Sequence, residues 1–149
     1  MSKIMLGSVN HQLDEKSRMR IPAKFRDGIG VNPYVLLGKL ECLYVFPSDT
    51  AADLLTSVLP SDPYALDEKQ SEVSTLIAAN STELTEDPQG RAVLPKNLKD
   101  YAHIKKDIVV VGKGKYLEIW AAEIFNERFS VLDPTKIKNM LSALTKRSV

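Results

Sequence analysis

With 149 residues, 44% apolar and 26% charged side chains, the chain has the composition of one ordinary folded domain or two small halves, and this excludes a disordered tail. No apolar run approaches the roughly 20 residues a membrane-crossing helix needs, and residues 1–10 lack the apolar core of a secretory signal. The net charge of +1 is segregated as +3 over residues 1–30, −8 over 48–90 and +6 over 91–149, so it leaves open both a basic face and a mixed solvated surface.

In chain order, residues 7–13 are mixed and β-permissive, and Asp14 opens a turn that closes at Arg18. Arg18 and Arg20 then point one way while Met19 and Ile21 point the other, the alternation of a strand, and Pro22 ends it because proline lacks a ladder donor. A buried strand over 34–37, a turn at Gly38-Lys39 and a returning strand over 43–46 follow. Ser48 or Asp49 caps a helix with Leu54, Leu55, Val58 and Leu59 on its apolar face. Asp62, with Pro63 at the first helical position, starts another that carries Leu66, Val73, Leu76 and Ile77. The pattern then recurs: a short strand over 81–86, a turn from Asp87 to Arg91, and Ala92 and Leu94 alternating with Arg91 and Val93 before Pro95. A strand over 108–111, a hairpin turn at Gly112-Lys113-Gly114-Lys115 and a return over 116–120 come next. Ile124, Phe125, Phe129 and Leu132 form a helical stripe, and Asp133-Pro134 starts a last helix with Ile137, Met140, Leu141 and Leu144 on one face. Strands followed by helices, twice, predict an α+β fold.

The recurrence is an internal repeat. Asp14-Glu15-Lys16-Ser17-Arg18-Met19-Arg20-Ile21-Pro22 and Asp87-Pro88-Gln89-Gly90-Arg91-Ala92-Val93-Leu94-Pro95 align at an offset of 73. Val35-Leu36-Leu37-Gly38 matches Val109-Val110-Val111-Gly112, and Leu43-Tyr44-Val45-Phe46 matches Leu117-Glu118-Ile119-Trp120, both at 74. Asp62-Pro63 matches Asp133-Pro134 at 71. Two copies are too few for a solenoid, so the reading is a pseudo-dimer with half-repeats at 1–80 and 81–149 around one core.

Enzyme chemistry finds no site. His11 and His103 have no counterpart in the opposite half, and Cys42 reads as a small buried hydrophobe. The scatter of these residues excludes a zinc site, no cofactor is expected, and the lone cysteine points to the cytosol. The lysine-glycine turn lacks the order and the following helix of a phosphate loop, and Asp67-Glu68 reads as a solvated helix face. The repeated turn carries more. Asp14 and Asp87 can bond the backbone two residues on, and Gly90 suits a positive φ. Arg18 and Arg91 stand at the loop exits beside Lys16, Arg20 and Gln89. The bland reading is an Asp–Arg pair that merely closes a turn. The functional one is a pair of groove-reading loops, since arginine can donate two bonds to guanine O6 and N7.

On these two loop motifs, with Tyr101-Ala102, Val109-Val110-Val111-Gly112 and Leu117-Glu118-Ile119-Trp120, nearly the whole chain resembles the MraZ family of bacterial regulators of the cell-division and cell-wall gene cluster. The resemblance implies a swapped-hairpin core related to AbrB-type DNA binders and no catalytic activity. It implies double-stranded promoter DNA with repeated GTG-rich elements as partner, a ring-shaped homo-oligomer larger than a dimer, no membrane or small-molecule substrate, and a place at the nucleoid. Arg18 and Arg91 become the base readers, with Lys16, Arg20 and Gln89 in support and Asp14, Asp87, Ser17 and Gly90 shaping the loops. Ser17 stands where the family usually has glycine, which predicts a distorted first loop or another turn type. Ala121 stands where a capping residue is common and predicts a weakened helix start, and the stretch 1–6 is longer and more apolar than usual. The stripes at Leu54-Leu55 and Ile124-Phe125 are expected in the core, with a ring interface as their second role. A rival reading is an antitoxin-like interaction module on the same fold. An antitoxin usually carries a disordered wrapping tail, whereas here the last stripe runs almost to Leu144 and leaves only a short basic end.

Overall fold

The computed structural model describes residues 4–147, so the first residues of the expected apolar start lie outside the described residues. Among the described residues eight strands form two sheets. The strands are β1 (Met5–Gln12), β2 (Arg18–Arg20), β3 (Tyr34–Leu37), β4 (Leu43–Phe46), β5 (Thr82–Glu83), β6 (Arg91–Val93), β7 (Asp107–Gly114) and β8 (Leu117–Ala121). The helices are α1 (Ala23–Ile29), α2 (Ser48–Thr56), α3 (Glu68–Asn80), α4 (Lys96–Tyr101), α5 (Ala122–Phe129) and α6 (Pro134–Arg147). The fold is α+β, as the alternation of strand and helix patterns predicts.

The sheet order is a palindrome of the repeat. The larger sheet runs β1-β7-β8-β4-β3-β5, and the smaller is the ribbon β2-β6. At the repeat offset β1 corresponds to β5, β3 to β7 and β4 to β8. Each first strand therefore pairs with the third strand of the opposite half, β1 with β7 and β5 with β3. Repeat-equivalent residues meet at both centres: Met19 opposite Ala92 in the ribbon, and Tyr44 opposite Glu118 where β4 meets β8. A pseudo-two-fold axis through these pairs relates the halves, and the hairpins are swapped across it. Strand β1 approaches β7 so closely that a Cβ on Gly112 would lie 2.5 Å from the carbonyl carbon of Met5.

One core draws on both halves. Leu13, Met19, Phe25, Ile29, Val35, Leu43 and Val45 pack with Leu84, Ala92, Leu94, Leu98, Ile108, Leu117 and Ile119, all buried. Helices α2 and α5 cover equivalent strands. Phe46 and Ala51 serve on one side, while Trp120 stands edge-on to Phe125 and Phe129 on the other. Among the described residues no helix is long and apolar enough to cross a membrane.

Several elements differ from the sequence reading. Helices α1 and α4 follow Pro22 and Pro95, where only strand ends were expected; α1 buries Phe25 and Ile29, and α4 buries Leu98 with Ala102 at its C-cap, a single i, i+4 pair each. Asp62 accepts from the Tyr64 amide but starts only a short 3₁₀ turn, Pro63–Ala65. Helix α3 begins instead after Asp67, whose side chain and that of Gln70 bond each other's backbone, so Asp67, exposed like Glu68, is the helix cap. The last hairpin turns at Lys115-Tyr116, because β7 continues through Gly114. Leu54 is exposed and Leu132 lies beyond α5 in the open, while Ala121 starts α5 without a side-chain cap, as its methyl requires. The apolar stripe of α6 is not in the core.

Candidate nucleic-acid interface

Each loop is built by one aspartate. Asp14 Oδ1 accepts from the amides of Lys16 and Arg18, both at 2.9 Å, and its Oδ2 accepts from Arg18 Nε at 2.7 Å. Asp87 repeats this with the amides of Gln89 and Arg91 at 2.8 and 2.9 Å and Arg91 Nε at 3.0 Å. The backbone matches too. The Asp14 and Asp87 amides donate to the Arg18 and Arg91 carbonyls, and the Ser17 and Gly90 amides donate back to the aspartates.

The two loops are thus one turn type, contrary to the distortion expected from Ser17. Ser17 has φ +59° and Gly90 φ +76°. A non-glycine residue pays about 1–2 kcal/mol for that region, and the Ser17 hydroxyl is held by Lys99 Nζ at 2.7 Å. The equivalent brace on the second loop stands close: a Cβ on Gly90 would lie 3.2 Å from Arg26 Nη2, a tight contact that the arginine would have to ease. Arg26 is fixed by a fork onto Glu86, whose Oε1 also accepts from the Asn32 amide at 3.0 Å. Burial works to raise the Glu86 carboxyl, but Arg26 and that amide outweigh it and hold it low. Each half therefore braces the loop of the other. Sequence reasoning missed Arg26 and Lys99, although they too stand at the repeat offset of 73.

The ribbon sets the arginines side by side. Met19 and Ala92 face the core, leaving Arg18, Arg20, Arg91 and Val93 on the outer face, with Arg20 directly opposite Arg91 and Arg18 opposite Val93. The strands are antiparallel, so the loops leave opposite ends of the ribbon, separated by about 7 Å of strand. The Arg18 and Arg91 side chains are 26% and 28% exposed. Aspartate occupies only Nε of each, and no hydrogen bond among the described residues takes their Nη1 or Nη2. Each guanidinium is thus held by one edge, and its Nη1 and Nη2 donors take no partner among the described residues. Lys16, Arg20 and Gln89 are exposed, and Arg20 enters no ion pair among the described residues although it faces a like charge, an arrangement that costs stability.

The amides of Arg18 and Arg91 have the largest effect, and together with the guanidinium groups and the amides of Lys16 and Gln89 they outweigh burial and hold the two aspartates below the ordinary value of 3.8. A depressed carboxylate contributes stability that is full above its unfolded pKa and is lost as pH falls through its folded one. The loops should therefore remain closed where an ordinary aspartate protonates. In a carbon-detected NMR titration, the Asp14 and Asp87 carboxyl carbons are expected to titrate below 3.8, with the Lys16 and Gln89 amides moving at the same midpoint. A midpoint at or above 3.8 would show that the carboxylates do not hold the loops.

The remaining candidate groups lie elsewhere. Cys42 is buried, donates from Sγ to the Lys39 carbonyl at 3.0 Å, and burial pushes its thiol up to about 12, which leaves no thiolate at neutral pH. His11 lies on β1, and His103 Nε2 stands 3.2 Å from Glu41 Oε1 on the exposed surface. Among the described residues no group of three or more His, Cys, Asp or Glu side chains could hold a metal ion.

The family model described as "MraZ protein, putative antitoxin-like" matches residues 4–57 and 77–145. The chain is 39% identical over 120 residues to a protein of Syntrophomonas wolfei named "Transcriptional regulator MraZ", covering 80% of this chain and 82% of that one. It is 34% identical over 123 residues to a protein of the same name from Carboxydothermus hydrogenoformans, covering 83% and 85%. A third, from Thermobifida fusca, is 39% identical over 120 residues, covering 80% and 82%.

Proposed function

The chain belongs to the MraZ family, and on that premise we propose that it is a transcription regulator without catalytic activity or cofactor, binding double-stranded promoter DNA. Its target is the cell-division and cell-wall gene cluster, it acts in the cytoplasm at the nucleoid, and it works as a ring-shaped homo-oligomer larger than a dimer. The halves 1–80 and 81–149 each contribute one reading loop. The observation that carries this reading is the repeated guanidinium held by its Nε, with no hydrogen bond among the described residues to Nη1 or Nη2. That is the donor pair guanine O6 and N7 accept in a major groove. Arg18 and Arg91 read bases, Lys16, Arg20 and Gln89 hold phosphates or flanking bases, and Asp14, Asp87, Ser17 and Gly90 shape the loops.

A gel shift on the chain's own upstream region, against a scrambled duplex of equal length, tests this reading. Specific retardation is expected, and equal affinity for both duplexes would reject it. Affinity should also fall steeply with salt, because each neutralised phosphate contributes a slope of about −0.9 in log K against log salt. Lys16→Ala and Arg20→Ala should each flatten that slope by about 0.9 per module engaged while leaving the preference for the specific duplex in place.

A further inference from the structure

The outer face of the β2–β6 ribbon carries four side chains, and they are not equivalent. Three are arginines, Arg18, Arg20 and Arg91, and the fourth is Val93. Val93 stands at the repeat offset of 73 from Arg20, so one strand of the ribbon reads Arg-x-Arg and the other Arg-x-Val. Val93 is 55% exposed, an open branched apolar side chain among three cations, while its neighbours Ala92 and Leu94 are buried. Its own burial therefore contributes little to the fold.

The place of Val93 is fixed. Arg18 lies directly opposite it, and the next amide, that of Leu94, donates to the Ser17 carbonyl at 2.9 Å, which ties the end of β6 to the first loop. Directly opposed residues have Cα atoms about 4.5–5.5 Å apart, between one and two base-pair steps of about 3.4 Å. The Arg18 guanidinium is drawn back by its Nε bond to Asp14, and its side chain is only 26% exposed. A guanidinium held in this way reaches a base only when the ribbon comes close, and that approach brings the short side chain opposite it to the same surface.

Valine has no donor and no acceptor. Of the features that base pairs present in the major groove, only the C5-methyl of thymine matches it, whereas the N4 amino group of cytosine would lose water there and gain no acceptor. We infer that Val93 is a specificity-determining residue, packing its methyl groups on the C5-methyl of a thymine beside the guanine that Arg18 takes. Arg20, at the equivalent place on the other strand, offers donors instead, so the two ends of the ribbon ask for different flanking bases. The inference rests on the proposed DNA reading and adds one base to it.

Anisotropy with the full chain and duplexes of its own upstream region tests it. One thymine at a time is replaced by deoxyuridine, which removes the C5-methyl and leaves every hydrogen-bonding group in place. Wild type should lose about fourfold in affinity at one thymine of a repeat, the value of one buried methyl. Val93→Ala should bind the unmodified duplex about fourfold more weakly and no longer distinguish uracil from thymine at that position. Val93→Ile keeps the branched apolar shape and should keep the distinction. Val93→Arg should lose it, and the fold already accepts arginine at the equivalent Arg20, so this variant decides the matter even if the alanine variant melts early. A wild type indifferent to every uracil, or alanine and arginine variants as sensitive as wild type, would overturn the inference. Specific retardation of the unmodified duplex by wild type would then leave the proposed function standing. Loss of that retardation in wild type would bring both down, so the two failures are distinguishable.

Discussion

Replacing both Arg18 and Arg91 with alanine is expected to remove most sequence preference in DNA binding while leaving the fold intact. Each bidentate guanine contact is worth about 1–3 kcal/mol of discrimination, so losing both costs about 2–6 kcal/mol per module engaged. The loops should survive, because Asp14 and Asp87 keep their bonds to backbone amides after the guanidinium groups are gone. Thermal melting checks the fold, and anisotropy on specific and scrambled duplexes checks the preference. Arg91→Lys should not restore it, since an ammonium cannot present two coplanar donors. If the alanine variant keeps its preference, or loses it only by unfolding, the arginines merely close their turns.

The second large effect concerns the number and spacing of DNA repeats. One module carries two unlike loops, with Lys16 and Ser17 in the first and Gln89 and Gly90 in the second. A ring presents the same pair repeatedly, and tethered sites gain about 10²–10⁴ in affinity without a new contact. A duplex with several repeats in helical phase should therefore bind about 10²–10⁴ times more tightly than one with a single repeat. Inserting about 5 base pairs, half a helical turn, between repeats should erase most of that gain. Equal affinity for one repeat and several would remove the ring from the mechanism and leave the loops untouched.

The sequence carried the loops openly, because an aspartate, an arginine and a proline at fixed spacing, repeated at an offset of 73, are local and countable. The two strands of the last hairpin, though not the position of its turn, and the Asp133-Pro134 helix start were legible for the same reason. Helices α1 and α4 were not. Each is under two full turns or barely two, and one buried pair such as Phe25 and Ile29 gives no periodicity to read. Asp62-Pro63 and Asp67 both carry helix-start chemistry within five positions, and only the reciprocal Asp67–Gln70 box decides which continues. The swap itself has no local signature. Nothing near β1 says that its partner is β7, and only the family resemblance implied it. The braces at the loops, Arg26 with Glu86 and Lys99 with Ser17, are invisible for that reason, since each joins a helix of one half to a turn of the other.

The crossed pairing of β1 also governs when the protein can exist at all. Gln12 and its partner Asp107 are 95 positions apart. On a ribosome adding roughly 5–20 residues per second, β1 therefore waits on the order of 5–20 s before the strand that completes it has been made. Until then β3 and β4 can form their hairpin and β2 gains its mate once β6 has been made, but β1 has no partner. The crossed sheet therefore cannot close half by half, and its completion waits until near the end of synthesis.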